Sequence, residues 1–348
     1  MKRIISIFLS LSIFISLFTV SVSAALEETG TYYYKDFSYR YINNNKVGIS
    51  KYNGTASKVT IPSEINGCKV TKLFEADIDE GFVSGGFSNN KYIKEVIIPD
   101  TVEKIGMFCF DKCSNLKKVK FGKNVKELDM WAFLDCKSLT SINIPDAMTD
   151  FDSQPFAGTN ITKIHLTENI KSADFYWFKL KTITVSKNNK NFSAKDGVLY
   201  NKKKTSLVYF PSHKNKKKFK IPEKVQTIKE WAFYASVKVK KLVLPKNLKL
   251  IASSAFCETN ITDIKFTGKK KVELRKYAFF DCKKLKSITI PKNVTKIGKQ
   301  ALGFYDTNDE NPYKEIYHKI KDFTIKGKKN SAAYKYAKKN GFKFVVIK

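Results

Sequence analysis

The chain has few residues of the types that carry enzyme chemistry. Its three histidines, His165, His213 and His318, lie far apart in the sequence, and none belongs to an H-E-x-x-H pattern. The G-x-S-x-G pattern of esterases and the G-x-x-x-x-G-K phosphate loop are also missing. His165 stands between two apolar residues of an alternating segment, which places its side chain on the outer side of a strand. We therefore predict a surface histidine there and no catalytic base.

The cysteines follow an internal periodicity rather than a metal-binding pattern. Cys113, Cys136 and Cys282 each come three residues after a phenylalanine, and Ser236 and Thr259 take the same place in other units. A position that accepts Cys, Ser and Thr favours a small, weakly polar side chain against a tight turn. The paired C-x-x-C spacing of zinc sites is absent. We predict core thiols, and the alternative is a disulfide between Cys113 and Cys136.

An acidic stretch near the C-terminal end is a candidate for calcium. Asp306, Asn308, Asp309 and Glu310 all carry side-chain oxygens, which are the ligands that calcium prefers. Their spacing differs from that of a known calcium loop, so we interpret the stretch as an acidic surface turn. The sequence predicts no metal site and no cofactor.

Lysine supplies nearly all of the excess positive charge. Lys and Arg number 64 against 32 Asp and Glu, a formal net charge of +32, and only Arg3, Arg40 and Arg275 are arginine. Arginine provides the planar fork that reads guanine and clamps phosphate, whereas lysine is a hydrated point charge. We therefore expect no specific nucleic-acid partner. The excess suits an anionic polymer held without sequence preference, or a soluble surface whose lysines reflect coding bias alone.

The elements that must position these residues repeat every 23 residues. The repeat is marked by a phenylalanine, with Leu302 in the last place: Phe87, Phe110, Phe133, Phe156, then after a break Phe233, Phe256 and Phe279. A proline or glycine stands eleven residues before nearly every one of them. In a solenoid each turn buries its apolar edge against the turns on either side, so the core repeats at a fixed period. A single domain with its own active site has no reason to do so, and the repeat argues against a catalytic fold.

Each regular unit contains one short strand. The segment 116–121 has the L-x-x-L-x-L arrangement that is typical of leucine-rich repeats. Alternation with period two directs Val119 and Phe121 inward and Lys118 and Lys120 outward. A proline usually follows the last inward residue, where the loss of an N–H donor ends strand pairing at little cost.

The chain divides into four predicted segments. Residues 1–25 combine a basic start, an apolar run and a small-residue site at Val22-Ser23-Ala24, which indicates a signal peptide. Its removal leaves 62 basic against 32 acidic residues, a net charge of about +30. No other long apolar stretch follows, so we expect no transmembrane segment in the mature chain and a secreted or cell-surface location. The tyrosine-rich, alternating residues 26–57 predict an N-terminal β cap.

The other two segments are the array and its end. We assign residues 58–325 to the repeat array, with a hairpin inserted at about 187–211 where the period fails. The hairpin strands are predicted on either side of Asn201 to Thr205. Residues 326–348 predict a helix–strand cap, with a helix start at Asn330 or Ser331 and a stop at Gly341.

The unit I-P-x-x-V-x-x-I-x-x-x-A-F-x-x-C-x-x-L-x-x-I-x-I-P resembles the BspA-type leucine-rich repeat family of bacterial surface proteins. Residues 222–245 and 268–291 match it closely, and residues 191–200 and 331–341 extend the likeness. The resemblance implies an α/β fold: a β-rich leucine-rich repeat solenoid of 23-residue repeats, with a hairpin insertion and a small C-terminal cap containing a helix. It also implies adhesion to host or matrix proteins or another surface role. Gly122, Gly268 and Leu302 depart from the family pattern.

The outward residues of the stacked strands form one exposed face. We expect this face to be continuous and to bind the ligand through Lys118, Lys120, Asn143, Lys163, His165, Thr182, Thr184, Lys265 and Thr289. The leading hypothesis is a secreted, non-catalytic binding or adhesion protein, with a host or matrix protein or a glycan as the ligand. The alternative is a structural cell-wall protein that charge holds on anionic wall polymers.

Overall fold

The chain winds into a solenoid in which equivalent residues of successive turns lie side by side. The structure is a computed structural model, and it describes residues 30–75, 77–79, 82–150, 154–172, 175, 179–306 and 317–348. The predicted signal peptide, residues 1–25, lies outside the described residues. Lys118 pairs with Glu95, 23 residues earlier, which is the sequence repeat seen as strand register. The fold is therefore the predicted leucine-rich repeat solenoid.

The predicted strand of each turn forms a parallel ladder, which we call the face ladder. With elements numbered in chain order, its strands are β4 (Lys58–Thr60), β9 (Glu95–Ile97), β11 (Lys118–Lys120), β13 (Lys163–Leu166), β14 (Thr182–Val185), β18 (Lys218–Lys220), β20 (Lys241–Leu244), β22 (Asp263–Phe266), β24 (Ser287–Thr289), β28 (Thr324–Gly327) and β29 (Lys343–Val346). Between β11 and β13 the ladder is continued by a single bridge from Ser141 to Lys163. In β13, Ile164 and Leu166 are buried while the residues between them are exposed, as the alternation predicts.

A second parallel ladder runs along the side of the solenoid. Its strands are β6 (Cys68–Leu73), β10 (Lys104–Ile105), β12 (Glu127–Leu128), β19 (Thr227–Ile228), β21 (Leu250–Ile251), β23 (Val272–Leu274) and β25 (Val294–Ile297). The expectation of one strand per turn is therefore wrong for turns that contribute to both ladders. A strand of two residues is too short to show alternation, so the sequence carried no signal for this side ladder.

A third row of hydrogen bonds connects the turns at the back. Each repeat phenylalanine donates its N–H to the residue before the next phenylalanine, as from Phe110 to Ala132 at 2.7 Å. The backbone on both sides is left-handed: Trp131 has φ 59° and Asp135 has φ 52°, two residues before and after Phe133. A left-handed conformation costs a non-glycine residue about 1–2 kcal/mol. The hydrogen bonds between turns hold these residues in it.

The core is a column of stacked phenylalanine rings. Ring centroids lie 4.6 Å apart between Phe87 and Phe110, and 4.8 Å apart between Phe110 and Phe133. The column resumes one turn earlier than predicted, because Phe210 stacks on Phe233 at 4.8 Å. Phe210 stands 23 residues before Phe233, so its place could have been read from the spacing.

The inserted element is a three-stranded antiparallel meander rather than a hairpin. Its strands are β15 (Phe192–Lys195), β16 (Val198–Asn201) and β17 (Ser206–Tyr209), and β17 then pairs in parallel with β19. The predicted turn at 201–205 is present. The segment 192–200, predicted as one strand, is two strands joined at Asp196-Gly197, where Gly197 has φ 73°. A left-handed φ is the conformation that glycine adopts at little cost, and the sequence interpretation overlooked it.

The meander connects two separate hydrophobic clusters. Leu199 and Tyr209 belong to the cluster on its N-terminal side, whereas Val198, Tyr200 and Leu207 belong to the cluster on its C-terminal side. Successive residues of β16 point to opposite faces, so one strand serves both cores. The meander is therefore a two-sided wedge at the centre of the array.

Asparagine side chains tie the turns together at the surface. Asn124 donates its amide to the Asp100 carbonyl at 2.8 Å, and Asn247 donates to the Glu223 carbonyl at 2.9 Å. Each bond spans 24 residues, one turn of the solenoid. These asparagine rungs satisfy carbonyl groups that the tight turns leave outside the ladders.

An antiparallel sheet begins the array. It contains β1 (Tyr32–Tyr34), β2 (Phe37–Asn43) and β3 (Lys46–Tyr52), and β3 pairs in parallel with β6. Tyr52 stacks on Phe87 with ring centroids 5.6 Å apart, so it takes the place of a preceding phenylalanine. Three small hairpin pairings complete the strand set: β5 (Glu64–Ile65) with β6, β7 (Asp77–Asp79) with β8 (Phe82–Ser84), and β26 (Phe304–Asp306) with β27 (Tyr317–Lys319).

A short helix covers the last turn. Helix α1 spans Ala332–Asn340, with Ser331 as the N-cap and Gly341 in the left-handed conformation that ends it. The Tyr336 hydroxyl accepts a hydrogen bond from the Leu302 N–H at 3.1 Å and donates one to the Leu302 carbonyl at 3.0 Å. Burial raises the pKa of Tyr336, so the hydroxyl remains a donor. The helix thus supplies the hydrogen bonds that a further turn would have made.

Candidate ligand-binding face

The structure places the predicted binding residues on the outer side of the face ladder. Eight of the nine are exposed, namely Lys118, Lys120, Asn143, Lys163, His165, Thr184, Lys265 and Thr289. Thr182 is half-buried, because the turn at Gly197 lies against its hydroxyl. All nine side chains are thus directed away from the phenylalanine column, as the alternation predicted.

The face is divided into two blocks, which corrects the prediction of one continuous face. The first block contains β4, β9, β11, β13 and β14, and the second block begins at β18. On the outer edge of β14, the Ile183 N–H donates to the Gly197 carbonyl at 3.0 Å. The first turn of the meander therefore occupies the place where the next face strand would pair.

Opposite charges alternate across the first block. Glu95 is the register partner of both Lys58 and Lys118 in the neighbouring strands. Its carboxylate lies 3.6 Å from the Lys118 ammonium and 3.5 Å from that of Lys120. Partial burial raises the pKa of Glu95, but Lys118, Lys58 and Lys120 outweigh it and lower the pKa overall. The charges of this block are thus largely balanced.

Like charges are neighbours in the second block. Lys218 is the register partner of Lys241, which in turn faces Asp263. In the next row, Lys220 and Lys265 stand on either side of Val243. Like charges directly opposite each other destabilise a sheet. The sequence interpretation missed this cluster because it treated the lysine run at 214–220 as an ordinary solvated segment.

The histidines are paired with hydroxyl groups. His165 Nδ1 lies 2.8 Å from the Thr184 hydroxyl on the neighbouring strand, and His213 Nδ1 lies 3.0 Å from the Ser212 hydroxyl. Burial, followed by the charges of nearby lysines, lowers the pKa of His213. Neither of these contacts joins a histidine to a carboxylate or a thiol, which are the partners of a catalytic histidine.

The cysteines are buried and free, as predicted. The Cys113 thiol donates to the Phe87 carbonyl at 2.9 Å, and the Cys136 thiol donates to the Phe110 carbonyl at 3.1 Å. All six cysteines are free, so the disulfide between Cys113 and Cys136 is not formed. Burial raises the pKa of the Cys136 thiol, which disfavours the thiolate needed for nucleophilic attack. These side chains link turns and do not form a reactive site.

The described ranges contain no group of three or more Cys, His, Asp or Glu residues that could hold a metal ion. Of the acidic stretch considered for calcium, Asn308, Asp309 and Glu310 lie outside the described residues. In the same ranges, no helix has the length and apolar character needed to cross a membrane.

Comparison with known families decides the assignment. The BspA type leucine rich repeat region matches residues 82–206 and 203–321, in six copies. The chain belongs to the BspA-type leucine-rich repeat family. No curated protein matches the sequence.

Solved structures share the BspA-type fold over most of the chain. The pneumococcal vaccine antigen PcpA is similar with a TM-score of 0.58 and 20% identity, over 92% of this chain and 99% of that one. A leucine rich cell surface protein from Faecalibacterium prausnitzii A2-165 has a TM-score of 0.50 and 24% identity, over 86% and 89% of the two chains. A leucine-rich repeat protein from Eubacterium ventriosum ATCC 27560 has a TM-score of 0.50 and 19% identity, over 81% and 96%. At these identities the likeness concerns the fold.

Proposed function

We propose that this BspA-type protein is a secreted or cell-surface, non-catalytic binding protein that holds a protein or glycan ligand on its face ladder. The observation that carries the proposal is the row of outward polar side chains on a rigid, stacked ladder. Repeat proteins use such extended surfaces for recognition. Adhesion to a host or matrix component is the role that this surface fits best.

The chemistry of the described residues supports a binding role over catalysis. Two of the histidines contact hydroxyl groups, and the thiols are buried with carbonyl partners. One similar structure is a cell surface protein and another is a vaccine antigen, and both names support the proposed location. Binding by a face of this kind needs no titrating group.

A matched pair of double variants tests the face. Asn143→Arg with Thr289→Arg adds two long side chains to the face ladder. Thr149→Arg with Thr295→Arg adds the same two, six residues further along each turn and off the face. All four positions are exposed, so both variants should fold. Binding to purified matrix proteins and glycans would be measured by biolayer interferometry.

We expect the face variant to lose ligand binding and the off-face variant to keep it. A ligand that binds both variants as it binds the wild type would show that the face is not the site. Robust hydrolase or transferase turnover by the purified protein, abolished by the face variant, would overturn the non-catalytic role.

The second candidate is a structural wall protein held by its overall charge. The formal net charge of +32, supplied almost entirely by lysine, favours it. Attachment of this kind weakens steeply as salt is raised, because counterions compete with the lysines. Retention on isolated cell walls that is equal at low and high salt would rule it out.

A further inference from the structure

An open groove crosses the second block of the face where it meets the meander. It has a volume of about 770 Å³. Strands β18, β20 and β22 form its floor, and Lys195 and Asp196 from the first turn of the meander line its wall. The meander thus builds a recess that a plain array of turns would lack.

The charge in this groove is strongly positive. Six lysines line it, namely Lys195, Lys216, Lys218, Lys220, Lys241 and Lys265, against Asp196, Glu223 and Asp263. Within the part of the chain that the structure describes, Lys220 is the one lysine of the six in an ion pair, at 3.3 Å from Glu223. Lys218 and Lys241 are direct cross-strand partners, a contact that repulsion destabilises until an anion comes between them.

A groove on the first block provides the contrast. Lys117, Lys118, Lys120 and Lys123 line it. Three of these four are already in ion pairs: Lys118 and Lys120 with Glu95 at 3.6 and 3.5 Å, and Lys123 with Asp100 at 3.4 Å. The two grooves share one ladder and similar lysine spacing, but the protein's own carboxylates neutralise the first.

The lining of the second groove narrows the class of anion. Its two aromatic rings, Tyr200 and Phe219, are buried, so the groove offers no ring face on which a base or a sugar could stack. None of its described lining residues is arginine, so no planar fork is present for bidentate pairing. Hydrated point charges at several neighbouring positions suit a flexible chain that carries an anion at every unit.

We propose that this groove, lined by Lys218, Lys241 and their neighbours, binds a linear phosphodiester polymer of the bacterial envelope. The inference rests on the proposed surface location and names one ligand class for the second block. It differs from attachment by overall charge, because it assigns the contact to a few lysines out of the whole excess.

The test compares two variants of equal net charge. Lys218→Gln with Lys241→Gln removes two charges from the groove, and Lys118→Gln with Lys120→Gln removes two from the balanced first block. Thermal unfolding followed by circular dichroism would establish that both fold. Binding of synthetic poly(glycerol phosphate) to the full chain would be measured by calorimetry at several salt concentrations. Polyglutamate and heparin of matched charge serve as the other polymer classes.

We expect the groove variant to bind at least about tenfold more weakly, and the slope of log Kd against log salt to fall by roughly 1 to 2 with the two lost contacts. The first-block variant should bind like the wild type. Equal losses in both variants would overturn the proposal in favour of diffuse charge, and no loss in either would place the site elsewhere. Polyglutamate or heparin binding as tightly as the phosphate polymer would overturn the phosphodiester assignment. None of these outcomes depends on the Asn143 and Thr289 test, so the two proposals fail separately.

Discussion

Phe133 lies fully buried in the column, with its ring centroid 4.8 Å from that of Phe110 and 5.2 Å from that of Phe156. The backbone row behind it fixes both neighbours, so they cannot collapse into the space that a smaller side chain would leave. Phe133→Ala should therefore lower the free energy of unfolding by about 3–5 kcal/mol. Lys120→Ala, at an exposed position of the face, should change it by at most about 0.5 kcal/mol. Urea unfolding would measure both, and equal losses would contradict the assignment of inward and outward residues.

Asp111 is a buried carboxylate without a hydrogen bond. Its side chain has no solvent exposure, neither oxygen has a hydrogen-bond partner, and the nearest charge is the Lys112 ammonium at 3.6 Å. Burial raises its pKa to about 6 against the opposing pull of Lys112. The folded protein therefore holds this proton more tightly than the unfolded chain, whose aspartates titrate near pH 3.9.

A pH dependence of stability follows from Asp111. Below about pH 4 the carboxyl is protonated in both states and has no effect, and as the pH rises to about 6 and above, the charged form costs the folded state about 2–3 kcal/mol. Asp111→Asn should therefore melt higher than the wild type at pH 7.5 and nearly equally at pH 4. Differential scanning calorimetry would measure this. Asp146→Asn, which alters an exposed carboxylate, is the control and should change neither value.

Single residues also mark the limit of what the sequence could predict. The phenylalanine column follows from spacing, because a buried apolar residue must recur once in each turn. The left-handed backbone at Trp131 and Asp135 does not, since bulky residues normally avoid it and nothing local announces it. The charge balance around Glu95 was also beyond prediction, because it depends on which residues are neighbours across the strands.

Among the elements, the meander has the clearest consequence for stability. Leu199 and Leu207 are both fully buried on adjacent strands, but they belong to different hydrophobic clusters. Leu199→Ala and Leu207→Ala should each cost about 2–5 kcal/mol. Their effects should differ in place: the first should weaken amide protection N-terminal to the meander, and the second C-terminal to it. Hydrogen exchange with mass spectrometry would separate them, and an identical pattern in both variants would refute the two-cluster core.

Elements with a full strand pattern were predicted, and shorter ones were not. The face strands show the L-x-x-L-x-L alternation over six residues, and the helix has a cap and a glycine stop. The side ladder has strands as short as two residues, and its pairing partners are a whole turn away. The outward direction of the candidate site was thus predictable, whereas its division by the turn at Gly197 depended on how the meander packs.

At the scale of the whole molecule, the array should lose structure from the site of damage outward. Each turn contacts mainly its neighbours, so the stability of the array is close to a sum of turns and interfaces. In the Phe133→Ala variant, hydrogen exchange should show protection lost first around residues 100 to 165 and later near Phe279. The Lys120→Ala variant should keep the wild-type pattern. Uniform loss along the chain would show that the solenoid unfolds as a single unit.

The asparagine rungs make the number of turns a heritable variable. Asn124 and Asn247 each reach one turn back to the same kind of carbonyl group, and the phenylalanine rings stack on the same schedule. A gene that gains or loses 23 codons therefore leaves every remaining rung and ring with an equivalent partner. A loss of eleven codons would set a phenylalanine where a proline ends the strand. Lineages of this protein are thus free to lengthen or shorten their reach in steps of one turn.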